Sequence, residues 1–206
     1  MTDARYSLAN RELVIATRNP GKVREIQQIL SGLGVRWRSL EEFSDIAEPD
    51  ETGTTFAENA RLKALYYAER TSCLVLADDS GLEVDALNGR PGVESARFAG
   101  EQKSDTDNNA RLILELRDVP EARRSARFRC AIALAESGRV LMETEGCIEG
   151  RIIDRPRGAN GFGYDPHFFV PECGATTAEL TPEQKSRISH RGRALRALAE
   201  RLEAAG

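Results

Sequence analysis

Residues 13–30, LVIATRNPGKVREIQQIL, contain the pattern that decides the fold. The short run at 13–17 is rich in β-branched residues and is followed by Asn19-Pro20-Gly21. Apolar residues then recur at helical spacing, at Val23, Ile26, Ile29, Leu30 and Leu33. This order predicts a strand, a tight turn and an amphipathic helix.

The same alternation continues through residue 79. Residues 35–40, VRWRSL, alternate like a strand, and residues 56–70 combine helix-forming residues with apolar ones four apart. Residues 73–79, CLVLADD, return to a strand pattern. The order strand, helix, strand, helix, strand predicts an α/β fold in which helices cover a central sheet.

The second half of the chain adds a helix, several strands and a last helix. Residues 104–116 begin with the capping sequence Ser-Asp-Thr-Asp, and residues 126–134 alternate apolar with polar or small residues. Ser137-Gly138 predicts a hairpin turn, and VLMETEG and RIID predict two further strands. We expect the final helix to begin near Pro182.

With 206 residues the chain is short for two independent domains, so we expect a single α/β domain over residues 1–206. Its expected form is an elongated unit of two lobes around a central mixed sheet, with a substrate cleft where the lobes meet. We expect a disordered or loosely attached N-terminus at about residues 1–10.

The charge and the distribution of apolar residues argue against two classes of partner, nucleic acids and membranes. The 29 basic and 33 acidic residues give a net charge of -4, which provides no overall positive field for a nucleic acid backbone. No stretch approaches the ~20 apolar residues that span a bilayer, and the first residues lack the apolar core of a signal peptide. We therefore expect a cytoplasmic protein with a small-molecule substrate and with neither a nucleic acid nor a membrane as partner.

Five segments are candidates for chemistry, and each also has a purely structural interpretation. The first is the turn at 17–22, where the helix N-terminus and the charge of Lys22 suit a phosphate; an ordinary strand-to-helix turn is the alternative. The second is the stretch 41–58, with seven carboxylates and no Lys or Arg. It predicts either a solvated loop or a site for a divalent cation, which would offset the repulsion.

The third segment is Asp78-Asp79-Ser80-Gly81, expected where the strand ends, since α/β sheets place ligands at the carboxyl ends of strands; an Asx turn is the alternative. The fourth, residues 158–166, GANGFGYDP, suits a loop that stacks on a flat ring, or else a packed surface turn. The fifth, residues 185–191, KSRISHR, indicates either a binding site or a solvated helix face.

Together these segments resemble the family of inosine and xanthosine triphosphate pyrophosphatases. The resemblance extends from Leu13 to about Leu198 and is carried by TRNPGK, ETGTTFAENA, LADDSGLEVDALNGRPGVESARFAG, GANGFGYDP and KSRISHR. It implies the family's elongated α/β fold, usually as a homodimer. It also implies Mg²⁺-dependent hydrolysis of inosine, deoxyinosine and xanthosine triphosphates to the monophosphate and pyrophosphate.

Matching the motifs residue by residue assigns roles. The resemblance makes Asp79 the general base and a metal ligand, and Glu51 a second metal ligand. It places Ser80 and Lys63 on the phosphate side. The triphosphate loop would comprise Thr17, Arg18, Asn19, Pro20, Gly21 and Lys22, with Arg18 standing where the family commonly has a small residue. The base and the rest of the nucleotide would contact Phe162, Gly163, Tyr164, Asp165, Lys185, His190 and Arg191.

Selection of the base follows from hydrogen-bond chemistry. Hypoxanthine and xanthine carry an accepting oxygen at position 6, where adenine carries a donating amino group. We expect the donors to be backbone N–H groups of residues 162–165 together with Arg191, with an aromatic ring covering the base. Two other functions remain open: a nucleotide-binding regulatory module without hydrolysis, and a pyrophosphatase of the related Maf type acting on pyrimidine or modified nucleotides.

Overall fold

The computed structural model describes Leu8 and residues 10–204. The expectation for the N-terminus at about residues 1–10 therefore lies outside the described residues, except at Leu8 and Asn10. Leu8 is only 5% exposed and packs in an apolar core. The N–H of Asn10 donates to the carbonyl oxygen of Gly34 at 2.9 Å. These two residues are thus attached to the fold.

The predicted strands and helices occur in the predicted order, and two short strands within residues 168–176 are additional. The helices are α1 (Pro20–Ile29), α2 (Phe56–Thr71), α3 (Asp105–Leu116), α4 (Pro182–Ile188) and α5 (His190–Ala204). The strands are β1 (Glu12–Ile15), β2 (Arg36–Ser39), β3 (Leu74–Val84), β4 (Ser125–Glu136), β5 (Arg139–Ile152), β6 (Phe168–Val170) and β7 (Ala175–Thr176).

The strands form one open sheet in the order β2-β1-β3-β4-β5-β6-β7. β1 lies parallel to both β2 and β3, with Leu13 opposite Trp37 on one side and Leu74 on the other. β6 lies antiparallel to both β5 and β7. The sheet is therefore mixed, which confirms the predicted α/β class.

The strand β3 is longer than the sequence indicates. Asp78-Asp79-Ser80-Gly81 was expected to end the strand, but β3 continues to Val84. The alternation resumes after Gly81, because Leu82 and Val84 are both fully buried in a second core. The two aspartates therefore lie in the middle of a strand, and the prediction that the strand ends at this segment is wrong.

Two other boundaries differ from the prediction. VLMETEG and the first two residues of RIID lie in the single strand β5. Gly150 lies within this strand, and a Cβ there would lie 2.6 Å from the Phe168 ring. The final helix is broken at Ser189, whose backbone is extended. Residues on the two sides of the break pack in different apolar cores: Ile188 packs in the core that contains Leu82, and Leu195 packs in the core that contains Leu13.

The chain divides into two compact units. Unit 1 contains the described residues up to Asp79, Cys130–Gly146 and those from Arg191 onward, and unit 2 contains Ser80–Arg129 and Cys147–His190. The core of unit 1 combines apolar residues of β1, β3, β4, α1 and α5. The core of unit 2 combines residues of β3, α3, β4, β5 and β6. None of the described helices is both long and apolar enough to cross a membrane.

Candidate active site

The turn at 17–22 has the predicted strand-to-helix form. Asn19 is the N-cap of α1, and its Oδ1 accepts from the N–H of Gly21 at 2.8 Å and of Lys22 at 3.2 Å. Pro20 occupies the first helical position, which suits a residue without an N–H. The amides predicted for a phosphate thus bind the Asn19 carboxamide, so a phosphate could reach them only by displacing that cap.

The side chains around the cap point in different directions. Thr17 Oγ1 accepts from the N–H of Asn19 at 3.2 Å. Arg18 donates to the carbonyl oxygen of Ile46 at 3.3 Å and pairs with Glu48 at 3.2 Å. Arg18 therefore contacts the acidic stretch, which explains how this turn accommodates an arginine.

The acidic stretch at 41–58 is neutralised by several nearby partners. Glu42 bonds to Arg38 at 2.7 Å, and Glu48 pairs with Arg18. Glu58 accepts from the N–H of Thr54 at 2.7 Å and forms the capping box at the start of α2. These contacts offset part of the repulsion without a cation, and a divalent cation at this stretch stays a prediction.

A buried lysine joins the two carboxylates that the resemblance assigns to a metal. Lys63 Nζ lies 2.9 Å from Glu51 Oε1 and 2.8 Å from Asp79 Oδ1. Burial lowers the pKa of Lys63, but the charges of Asp79 and Glu51 outweigh it and raise that pKa above its usual value. Burial raises the pKa of the Asp79 carboxyl, although Lys63 opposes the rise.

Asp79 also has one oxygen without a partner. Its Oδ2 is buried and makes no hydrogen bond with any residue that the structure describes. A buried, unpaired carboxylate oxygen is costly unless a ligand satisfies it. We call Glu51, Lys63 and Asp79 the carboxylate cluster.

The carboxylate cluster fits a hard cation only in part. Within the described residues there is no group of three or more His, Cys, Asp or Glu side chains suited to a metal ion. Asp79 and Glu51 supply two carboxylates, and Mg²⁺ is usually held by one or two carboxylates plus water and substrate phosphates. The donor set therefore suits Mg²⁺ bound together with a phosphorylated substrate.

Asp78 has a different set of contacts from Asp79. Successive side chains of a strand point to opposite faces, but the charge of Lys22 acts on both carboxylates. Arg191 donates to Asp78 at 3.0 Å and also pairs with Glu25, and Lys22 forms an ion pair with Asp78. Burial alone would raise the pKa of Asp78, but Arg191 and Lys22 hold it well below its usual value.

Two residues near Asp78, Glu25 and Cys130, were not predicted from the sequence. Glu25 lies three residues after Lys22 in α1, on the same helix face, and that spacing was the available signal. Cys130 donates to Asp78 at 3.0 Å from β4, a contact between distant segments that no local pattern indicates. Arg191 is 1% exposed, so its observed role is to hold Asp78 in place.

In unit 2, residues 161–165, which we call the ring loop, are organised by one buried carboxylate. Asp165 accepts from the N–H of Phe162 at 2.9 Å, from Lys185 Nζ at 2.6 Å and from Thr177 Oγ1 at 2.7 Å. Gly161 has a φ of +79°, and a Cβ there would lie 2.0 Å from Asp165 Oδ2. The glycine is therefore required by both the backbone and the close carboxylate.

The two aromatic residues of the ring loop differ in exposure. Tyr164 is 4% exposed, and its hydroxyl donates to the carbonyl oxygen of Ser95 at 2.8 Å. Phe162 is partly exposed, and Lys185 Nζ lies 4.8 Å from the centroid of its ring. Phe162 is therefore the more exposed of the two rings and the better candidate for stacking, whereas Tyr164 anchors the loop.

Ser80 and His190 are the other candidates in unit 2. Ser80 lies in β3 and is partly buried. His190 is 6% exposed and stacks on Phe128, with the ring centroids 4.9 Å apart and the planes 16° apart. The structure thus places His190 against an aromatic ring in the interior of the unit.

The described geometry brings the predicted residues into separate groups. In unit 1, Glu51, Lys63 and Asp79 form the carboxylate cluster, while Lys22 and Arg191 meet at Asp78. In unit 2, residues 162–165 lie with Lys185.

Comparisons with known proteins match nearly the whole chain. A dITP/XTP pyrophosphatase of Geobacillus kaustophilus is 53% identical over 193 residues, covering 94% of this chain and 95% of that protein. A dITP/XTP pyrophosphatase of Bacillus subtilis is 49% identical over 194 residues, covering 94% of this chain and 98% of that protein.

Solved structures have the same fold. The Staphylococcus aureus Ham1 protein matches with a TM-score of 0.84 and 41% identity, covering 95% of this chain and 100% of that one. The nucleoside-triphosphatase, or dITP/XTP pyrophosphatase, of Mycobacterium abscessus matches with a TM-score of 0.73 and 44% identity, covering 91% and 97%. These relatives confirm the resemblance that the motifs indicate. Since the model of the Ham1 family also matches residues 13–201, the chain belongs to the Ham1 family.

Proposed function

We propose that this protein is a nucleoside triphosphate pyrophosphatase that hydrolyses inosine, deoxyinosine and xanthosine triphosphates to the monophosphate and pyrophosphate. The similarity carries the proposal, because relatives named dITP/XTP pyrophosphatase match more than nine-tenths of both chains. The buried, unpaired oxygen of Asp79 supports the proposal. Together with Lys63 and Glu51 it provides a proton acceptor and charged groups of the kind that phosphate hydrolysis needs.

A triphosphate carries about four negative charges, and its binding site must neutralise them. Lys63 and Lys22 are lysines of unit 1 already held by carboxylates, so their ammonium groups are fixed in place. Mg²⁺ held by Asp79 and Glu51 would neutralise further phosphate charge and polarise the phosphorus-oxygen bonds. Lys22 and Lys63 would orient the phosphates around that centre.

Asp79 is the residue that we expect to move a proton. Its Oδ2 would accept a proton from a water molecule that attacks at the α–β linkage. A bond forms between the water oxygen and the α-phosphorus, the bridging bond to the β-phosphate breaks, and pyrophosphate leaves as one unit. Lys63, bonded to the other oxygen of Asp79, fixes the direction of the acceptor.

For the base, we propose stacking on Phe162 and hydrogen bonding from Lys185. The N–H groups of Phe162 and Gly163 already donate to Asp165 and Asp105, which disfavours them as donors to the base. The ammonium of Lys185 lies close to the Phe162 ring and carries three N–H groups, so it suits the 6-oxygen of hypoxanthine or xanthine.

A panel of nucleoside triphosphates tests the proposal. With Mg²⁺ present, we expect pyrophosphate from inosine and xanthosine triphosphates well above that from adenosine and guanosine triphosphates. Orthophosphate appearing without added pyrophosphatase would contradict cleavage at the α–β linkage. Preference for uridine triphosphate would indicate the Maf type, and tight binding without hydrolysis would indicate the regulatory module.

We also propose that the protein acts as a homodimer in the cytoplasm, the compartment where nucleoside triphosphates are used. Light scattering coupled to size-exclusion chromatography tests the dimer: a mass of about twice 22.7 kDa is expected. Cell fractionation with antibody detection tests the compartment, and recovery in a membrane or exported fraction would contradict it.

A further inference from the structure

Two side chains of α3 hold the backbone of the ring loop. Asp105 Oδ2 accepts from the N–H of Gly163 at 2.7 Å, and Asn109 Nδ2 donates to the carbonyl oxygen of Gly163 at 2.9 Å. Asp105 and Asn109 are four residues apart, so they lie on one face of the helix. Both backbone polar groups of one loop residue are thus bound by one helix; we call this contact the α3 clamp.

The α3 clamp acts at the most adaptable position of the ring loop. Gly163 has a φ of +62°, and a Cβ there would meet nothing within 4 Å. Close packing around its Cα therefore does not fix its conformation. Binding both its N–H and its carbonyl oxygen fixes the two peptide planes that join it to Phe162 and Tyr164. Asp105 and Asn109 therefore hold the backbone that carries Phe162.

A buried residue next to Asn109 also bonds α3 to residues 96–99. Asn108 is 3% exposed, accepts from the N–H of Ala99 at 2.6 Å and donates to the carbonyl oxygen of Ala96 at 2.9 Å. Tyr164 reaches the carbonyl oxygen of Ser95, in the same segment. The start of α3 and the ring loop are therefore tied to one stretch of chain, residues 95–99.

We infer that Asp105 and Asn109 are positioning residues for the purine base, which set the direction of Phe162 through Gly163. This rests on the proposed function, in which Phe162 stacks on the base. Neither side chain needs to touch the substrate. A preformed loop avoids ordering cost on binding, so removal of the clamp should weaken binding of the base with little effect on the chemical step.

A plain structural role predicts something different. Asp105 is an acidic residue in the first turn of α3, where any carboxylate favours the helix. Asp107 is also an exposed acidic residue of that turn, and it lies two residues after Asp105, on a different face of the helix. Asp107→Ala is therefore the matched control, since it removes the same charge from the same turn and leaves the clamp intact.

The test compares Asp105→Ala, Asp105→Asn, Asn109→Leu and Asp107→Ala. We expect Asp105→Ala and Asn109→Leu to raise KM for inosine triphosphate about tenfold, the scale of one lost hydrogen bond, with kcat changed less than about threefold. Hydrogen exchange of residues 161–165 should accelerate in both variants. Asp105→Asn, which keeps an accepting oxygen, should recover most of the wild-type KM, and Asp107→Ala should match wild type.

Equal KM values and equal hydrogen exchange rates in Asp105→Ala and Asp107→Ala would contradict the positioning role of Asp105. So would a fall in kcat at constant KM, because that pattern does not indicate base positioning. Wild-type protein that releases no pyrophosphate from inosine triphosphate would instead overturn the proposed function, and with it the clamp's role in the reaction. The exchange comparison would still decide whether Asp105 holds Gly163.

Discussion

At the scale of single residues, Asp78 and Asp79 show how neighbours in sequence acquire opposite roles. Asp78 is held by Arg191 and Lys22, and its pKa lies well below the usual value despite burial. Asp79 has a raised pKa, because its burial outweighs the nearby charge of Lys63. The ion-paired carboxylate of Asp78 stabilises the fold, whereas the unpaired oxygen of Asp79 is suited to accept a proton or bind a cation.

Asp79→Asn should keep the fold and lower turnover of inosine triphosphate by at least about 100-fold, the usual contribution of a positioned proton acceptor. The amide can still accept from Lys63 through one oxygen, which should preserve the local packing. Steady-state kinetics and thermal unfolding measure the two effects. The exposed Asp45 provides the control Asp45→Asn, and near-normal turnover in Asp79→Asn would remove Asp79 from the base role.

Arg191→Met should destabilise the protein by about 3–5 kcal/mol, because it leaves the buried Asp78 without its main partner. The free energy of unfolding in urea measures this. Arg193→Met, at an exposed position of the same helix, is the control. Adding Asp78→Asn to Arg191→Met should recover part of the loss, since the unpaired charge is removed. An unchanged unfolding midpoint with relaxed selection against adenosine triphosphate would support a direct contact of Arg191 with the base.

At the scale of elements, the sequence predicts the type of element more reliably than its ends. The strand-turn-helix at residues 13–30 is found as β1, an Asn19-capped turn and α1, since its signals are local. The continuation of β3 past Gly81 could not be predicted, because it depends on burial of Leu82 and Val84 in the core of unit 2. The break at Ser189 depends on the same division between cores.

The ring loop offers a comparison of two glycines at the element scale. Both Gly161 and Gly163 have positive φ, so alanine introduces similar backbone strain, about 1–2 kcal/mol, at either position. Only at Gly161 would the new Cβ meet Asp165, at 2.0 Å from Oδ2. Gly161→Ala should therefore displace the carboxylate that holds Phe162 and Lys185, and raise KM for inosine triphosphate several-fold above that of Gly163→Ala. Equal KM values would show that Asp165 does not organise the loop.

At the scale of the whole molecule, the motifs and the tertiary contacts contribute different information. The order of motifs was sufficient to predict the family, because agreement over many residues does not depend on knowing any contact. The contacts of Asp78 with Arg191 and of Asp105 with Gly163 join segments 113 and 58 residues apart. Such pairs carry no local periodicity, so only the structure reveals them.

Removal of metal should separate activity from stability across the whole molecule. Both units are held by apolar cores, and the described residues include no group of three metal-ligating side chains. We therefore expect chelation by EDTA to abolish pyrophosphate release and added Mg²⁺ to restore it. The thermal unfolding midpoint should shift by less than about 2 °C, since a change of 1 kcal/mol shifts it by about 2–4 °C at this size. Calorimetry and the pyrophosphate assay on the same samples measure both. Full activity in EDTA would contradict a metal at Asp79 and Glu51, and a large fall in the midpoint would indicate a structural metal in place of a substrate-bound one.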